Sequence, residues 1–239
     1  MFLTVLAGSA GAALFARWKR GTPLGLGVRN GCVREIATGA LIGTAGMGAT
    51  VTAVLLCTDS HVQDVRLDMK RLGVGLAVLA VAAVGEELVY RALMLNGLAT
   101  LTRRPWAALA VSAAVFGVVH LTDSSHATAI SVLSNTMGGV MYGVAFLRTG
   151  RIWMPVGIHF AWNFVQGTIM GFAVSDNTDY SGGLVHPVVE GTTWLTGGGY
   201  GPEGSVFSLV ARAAIIAAVL ALPARGDRIP ETSPDVAVD

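Results

Sequence analysis

The chain has 239 residues, 53% of them hydrophobic and 13% charged, with a net charge of +1. Soluble domains carry about 25% charged residues, so this composition, with a mean hydropathy of +0.62, describes an integral membrane protein. No Lys/Arg-rich stripe with interleaved aromatics occurs, so no nucleic-acid partner is expected, and Cys32 and Cys57 form no metal or redox spacing.

Seven apolar segments occur in order, and the expected fold is all-α: a polytopic transmembrane helical bundle of about seven spans, in the cell membrane. The first, Phe2–Ala16, has no basic stretch before it and is followed by Arg17-Trp18-Lys19-Arg20. That order marks a short first span with its C-terminal end in the cytoplasm, not a secretory leader. Residues 1–35 thus read as an N-terminal span with a basic cytoplasmic segment, of which 21–35 mixes apolar and basic residues and suits the membrane interface. Residues 36–224 read as the membrane-embedded domain. Its spans are Ile36–Cys57, Leu72–Leu98, Trp106–His120, Ala127–Leu147, Ile152–Val174 and Ser205–Leu222. Gly39, Gly43, Gly46 and Gly48 in the second span, and Gly138, Gly139 and Gly143 in the fifth, permit close helix approach. Residues 175–204 read as a long outer loop rich in Gly and Thr, with no Lys or Arg, and 225–239 as a disordered cytoplasmic tail. Eleven Lys and Arg residues fall in segments assigned to the cytoplasm, against Arg66, Lys70 and Arg71 outside. This bias supports an outer N-terminus and an inner C-terminus.

Two glutamates interrupt the third span, in Gly85-Glu86-Glu87-Leu88-Val89-Tyr90-Arg91, after a stretch from Leu72 to Val84 with no charge. A single charged side chain at the centre of a bilayer helix costs about 2.5 kcal/mol or more, so such a pair points to chemistry or transport. Residues four apart share a helix face. Glu87 is therefore expected to pair with Arg91, while Glu86, about 100° around the helix with Tyr90, faces a cavity. His159 and Asn163 are four apart on the sixth span, and His120 closes the fourth span four residues after Phe116. Counted from the span ends, Glu86 and His159 lie in the cytoplasmic half, with His120 about 10 Å out of line.

Hydrolysis inside a membrane needs a group that activates water and donors for the developing oxyanion. A glutamate with a histidine serves the first need and a His/Asn pair the second. The same groups also suit proton-coupled transport, and composition does not choose between them.

Glu86-Glu87-x-x-x-Arg91, Phe116-x-x-x-His120 and His159-x-x-x-Asn163 together resemble the three-motif signature of the CPBP family. That family comprises CAAX proteases and bacteriocin-processing or immunity (Abi) proteins related to the type II CAAX prenyl endopeptidase. The phrase His159-Phe160-Ala161-Trp162-Asn163-Phe164 is especially close to the third motif, and the resemblance covers roughly residues 70 to 172, with the core motifs in 72–172. It implies that Glu86 activates the attacking water with help from His120. It also implies that Glu87 and Arg91 hold geometry and charge, and that His159 and Asn163 stabilise the oxyanion. No HExxH occurs, and the resemblance implies a glutamate mechanism without cofactor or metal, zinc being the disfavoured alternative. The expected function is an intramembrane endopeptidase acting on a hydrophobic or lipidated, membrane-tethered peptide or protein C-terminus. The rival readings are a non-enzymatic bacteriocin-immunity or scaffold protein, and a proton-coupled transporter.

Other polar residues have plainer readings. Asn135, with Ser131 and Ser134, and also Asn96 and Gln166, suit hydrogen bonding between helices. His61, His126 and His186 read as solvated loop residues, Trp153 and Trp162 as interface anchors or packing residues, and Gly197-Gly198-Gly199 as a flexible loop.

Overall fold

The computed structural model describes residues 8–11, 13–17, 21, 23–28, 31–122 and 124–222. The start of the expected first span and the tail from 225 lie outside the described residues, while 8–11 and 13–17 are helical. The helices that come next are α1 (Cys32–Cys57), α2 (Met69–Thr102), α3 (Pro105–Val119), α4 (Ala129–Thr149), α5 (Trp153–Asn163), the single turn α6 (Thr193–Thr196) and α7 (Val206–Ala221), with 3₁₀ turns at Gly198–Tyr200 and Pro202–Gly204 between the last two. Among the described residues, α1, α2 and α4 are long and apolar enough to cross a membrane, while α3 and α7 are shorter apolar helices.

Each boundary has a local cause. Asp68 caps α2 by accepting the Arg71 backbone N–H at 3.0 Å. Pro105 opens α3 at a position whose N–H needs no partner. Thr128 and Ser131 form a reciprocal capping box on α4, so Ser131 serves a helix end and not the helix–helix contact expected of it. Gly150, at φ 67°, closes α4.

The outside of the bundle is apolar and the inside is partly ionic. Leu41, Leu56, Leu76, Val81 and Val210 are exposed, whereas Glu87, Arg91, His159, Gln166, Glu203 and Arg212 are buried. This reverses the soluble pattern and suits a hydrocarbon solvent. Helices α1 and α5 cross with their backbones in contact. A Cβ on Gly39 would stand 2.3 Å from the Met154 carbonyl oxygen, and one on Gly157 would stand 2.3 Å from that of Ile36. Gly139 and Gly143 let α4 meet α3 at Ala113 and Leu109, but Gly48, expected at such a seam, faces open space.

Two helices carry wide turns. In α2 the backbone is π-helical over Leu88–Leu95, and α5 continues as a π-helix over Phe164–Ile169. The first starts directly after Glu86-Glu87, inside the first motif, and the second directly after Asn163, at the end of the third. Such segments reset the angular register of the residues beyond them and recur at functional sites. The sixth expected span therefore ends near Ile169 and not at Val174. Gly171 then turns the chain at φ 77°, where a Cβ would lie 2.1 Å from the Val185 carbonyl oxygen, a conformation and an approach open to glycine.

The all-α expectation needs correction at one place. β1 (His61–Val65) pairs antiparallel with β2 (Val185–Val188), His61 opposite Val188 and Val65 opposite Val185. The ladder continues through Arg66 N–H to the Leu184 carbonyl at 2.9 Å and Asp68 N–H to that of Gly183 at 2.8 Å, which fixes the segment over the start of α2. Residues 175–204 are thus not a free loop. Thr196, Tyr200 and Glu203 within it are buried, and Gly197-Gly198-Gly199 is ordered, with Gly197 and Gly198 at φ 80° and 56°. Segment 21–35 is tied to the bundle, because Asn96 Nδ2 donates to the Pro23 carbonyl at 2.9 Å and Trp153 Nε1 to that of Gly27 at 3.0 Å.

Candidate active site

A cavity of about 100 Å³ lies among α2, α3, α4, α5, α7 and the outer loop. Glu86, His120, His159 and Asn163 all line it, so the offset of His120 counted from span ends does not separate it from the other motif residues. Glu87 and Arg91 sit behind this wall, 0% and 1% exposed. The six expected residues thus divide into four that face the cavity and two that support it.

Glu87 is the centre of the support. Its Oε1 accepts from Arg91 Nη1 at 3.1 Å and from His159 Nδ1 at 2.8 Å. Arg91 Nη2 donates onward to the Gly139 carbonyl at 3.2 Å. The guanidinium is also enclosed by aromatic rings, its carbon lying 4.7 Å from the Phe116 centroid, 5.1 Å from Tyr142 and 5.8 Å from Tyr90. Tyr90, expected beside Glu86, is drawn into this cage, edge-on to Phe116 at 5.0 Å. The residue lies just past the onset of the π segment.

The two histidines are held alike. His120 Nδ1 lies 2.7 Å from the Phe116 carbonyl oxygen, and since that oxygen can only accept, Nδ1 carries a proton. His159 Nδ1 faces the Glu87 carboxylate and carries a proton for the same reason. In the neutral ring each Nε2 is then an acceptor. His159 Nε2 stands 3.9 Å from Glu86 Oε2. Its ring stacks on Tyr142 at 4.5 Å and 13°. Glu86 has a 29% exposed side chain, yet its Oε2 is buried without a hydrogen-bond partner among the described residues.

The outer loop supplies the roof. Val174, Ser175, Tyr180 and Glu203 line the cavity with Arg212 of α7 and Asn135 of α4. Glu203 Oε1 accepts from the Ser175 N–H at 2.7 Å and the Ser175 hydroxyl at 2.8 Å, and Glu203 Oε2 accepts from Arg212 Nη2 at 3.3 Å. Arg212 also donates to the Ser134 carbonyl and, at 3.4 Å, to Asn135 Oδ1. Its guanidinium carbon lies 4.8 Å from the ring of Trp162, a core residue here and not an interface anchor. Gly138 makes room, since a Cβ there would meet Arg212 Nη1 at 2.9 Å. Burial pushes the Tyr180 phenol up to about 12, so it remains a hydrogen-bond donor.

A second anchor holds the roof from the side. Asp176 Oδ2 accepts from Ser125 N–H at 2.8 Å and from the Ser125 and Ser124 hydroxyls at 3.0 and 3.1 Å, while Oδ1 lies 2.5 Å from His126 Nδ1. His126, expected to be merely solvated, is therefore paired, though its side chain is 57% exposed. Ser175 and Asp176 hold φ 48° and 73°, left-handed values that these side-chain bonds sustain. Burial acts to raise the Asp176 carboxyl, but the hydrogen bonds from His126, Ser125 and Ser124 outweigh it and hold the group below the ordinary carboxylate range.

Sequence reasoning assigned no site role to Tyr142, Tyr180, Glu203 or Arg212, and gave Asn135 only a packing role. One signal was available for Arg212: an arginine within an apolar helix requires a buried partner. No spacing rule points to Tyr142.

Zinc would have to be drawn from Glu86, His120 and His159. Among the described residues no group of three His, Cys, Asp or Glu side chains is gathered closely enough to hold a metal ion.

The model of the family described as Type II CAAX prenyl endopeptidase Rce1-like matches residues 69–165. This stretch runs from the start of α2 into the second π segment and contains all six expected site residues. No curated protein and no solved structure matches the chain.

Proposed function

We propose that this chain, whose residues 69–165 match the model of the Rce1-like type II CAAX prenyl endopeptidases, a protease family, is an intramembrane endopeptidase. Its substrate is a hydrophobic or lipidated peptide or protein C-terminus held at the membrane. One observation carries the reading: four motif residues from three helices face one small polar cavity, and Glu86 is its carboxylate with no arginine on it and with an Oε2 that accepts no hydrogen bond among the described residues, His159 Nε2 standing 3.9 Å away. Glu203 is bonded to Arg212, and Glu87 to Arg91 and His159.

The steps arise from these groups. A water in the cavity gives a proton to Glu86 as its oxygen attacks the peptide carbonyl carbon, with His120 Nε2 accepting a hydrogen bond from the same water. The carbonyl π pair moves onto oxygen, and the amide of Asn163 faces that charge together with His159 when both its ring nitrogens carry protons. The intermediate collapses, the carbonyl re-forms, the C–N bond breaks, and the departing nitrogen takes the proton from Glu86. Glu87 fixes the His159 ring and Arg91 balances the Glu87 charge. No cofactor enters, and turnover is expected to persist under strong chelation.

The test compares the membrane peptidome of cells carrying the wild-type chain with that of cells carrying Glu86→Gln. Wild-type-dependent fragments that vanish in the variant support the proposal. Identical peptidomes, with both proteins inserted at equal levels, overturn it.

A further inference from the structure

We propose that the hydroxyl of Tyr142 is a catalytic hydrogen-bond donor to the oxyanion, a role that rests on the protease reading above. Three observations lead there.

The first is a shortage of donors. His159 spends its Nδ1 proton on Glu87 at 2.8 Å. As a neutral ring it offers the cavity only an acceptor at Nε2, and it becomes a second donor only as imidazolium. The same holds for His120, whose Nδ1 proton goes to the Phe116 carbonyl at 2.7 Å. In the neutral-histidine state, Asn163 is then the one motif residue facing the cavity that has a proton to donate.

The second is the placement of Tyr142. It lies on α4, which no motif residue occupies, and its ring stacks on that of His159 at 4.5 Å with an interplanar angle of 13°. Phe116 meets it edge-on at 6.1 Å, and the Arg91 guanidinium carbon lies 5.1 Å from its centroid. The ring is thus clamped on several sides and 2% exposed, which makes a rigid mount for a donor.

The third is the state of its hydroxyl. Tyr142 lines the cavity with Glu86 and Asn163. Its oxygen has no hydrogen-bond partner among the described residues and is not sealed from the cavity. A phenol hydroxyl kept open in a bundle where buried polar groups normally find partners is suited to a charge that appears only during reaction. Such preorganised donors act in the transition state without cost of rearrangement.

Tyr142→Phe separates this role from packing, since it keeps the ring, the stack on His159 and the contact with Arg91. The experiment adds this variant to the peptidome time course of wild type and Glu86→Gln, with thermal unfolding of each purified protein in detergent. The expected result is product accumulation slowed about a hundredfold, the usual effect of losing one oxyanion donor, with an unfolding midpoint matching wild type. Tyr142→Leu, which also removes the stack, should slow the reaction at least as much and lower the midpoint. Wild-type rates in Tyr142→Phe overturn the donor role while leaving the protease reading intact. A slow Tyr142→Phe whose unfolding midpoint has dropped to that of Tyr142→Leu also overturns it, in favour of a packing role. Wild type indistinguishable from Glu86→Gln instead fells the protease reading, and the donor role with it.

Discussion

Glu87 and His159 join two separate helices through one hydrogen bond of 2.8 Å, from Nδ1 of the imidazole to Oε1 of the carboxylate. The same oxygen also accepts from Arg91 at 3.1 Å, so a single buried atom ties the first motif to the third. Removing the Glu87 charge strands Arg91 in an environment without water. Breaking a buried pair in this way costs about 3–5 kcal/mol. Glu87→Gln should therefore lower the unfolding midpoint in detergent markedly and cut the cleavage rate by at least tenfold. An unchanged midpoint would show that Arg91 finds compensation elsewhere.

Glu86 should behave in the opposite way. Its Oε2 is buried without a partner among the described residues, so the carboxylate is held at the expense of stability, as active-site groups often are. Glu86→Gln is expected to abolish cleavage while leaving thermal stability equal to wild type or higher. A clear loss of stability together with activity would mean that the residue is structural.

The Glu203–Arg212 pair is expected to clamp the roof. Each single substitution, Glu203→Gln or Arg212→Met, leaves the opposite charge buried and alone, at about 3–5 kcal/mol. The double variant should cost less than the sum of the two, a coupling that a double-mutant cycle reads directly. Limited proteolysis within 175–204 is the local readout. Additive effects would show that the two residues do not depend on each other.

Acid should loosen the side anchor first. The folded-state pKa of Asp176 is depressed by its hydrogen bonds to His126, Ser125 and Ser124. A group depressed in the folded state contributes stability above its unfolded value, about 3.9, and loses that contribution as pH falls through the folded value. Amide-exchange protection at 124–126 and 174–177, taken as the rate relative to that of an unstructured peptide at the same pH, is therefore expected to fall as pH drops from 5 toward 3 and to stay constant over that range in Asp176→Asn. The effect is modest because His126 is largely exposed. Equal pH responses in both proteins would remove Asp176 from the anchor.

The motifs were legible because their chemistry is local. Glu87 and Arg91, or His159 and Asn163, declare themselves by four-residue spacing inside apolar runs, where a charge or an imidazole needs a reason. The convergence of these pairs was legible only as a family resemblance, and the geometry brings four of the six residues to one cavity. The roof was not legible. β1 and β2 are short, and Val65 meets Val185 across 120 positions, a pairing that no periodicity within one segment reveals. The π segments escaped for a related reason, since nothing in Leu88–Leu95 or Phe164–Ile169 distinguishes a wide turn from a regular one by hydrophobic pattern alone. Glu203 and Arg212 escaped because the first falls in the segment read as an outer loop and the second in an apolar span, with no spacing that joins them.

The cavity holds about 100 Å³, space for a few solvent molecules, whereas pockets that take up organic ligands run to about 300–1,000 Å³. On the proposed function, a peptide needs more room beside Glu86 than this cavity provides. Turnover must begin with displacement of 174–204 or with parting of the helices beneath it. On the proposed function, so narrow a space would keep Glu86 away from the bilayer's other proteins between encounters.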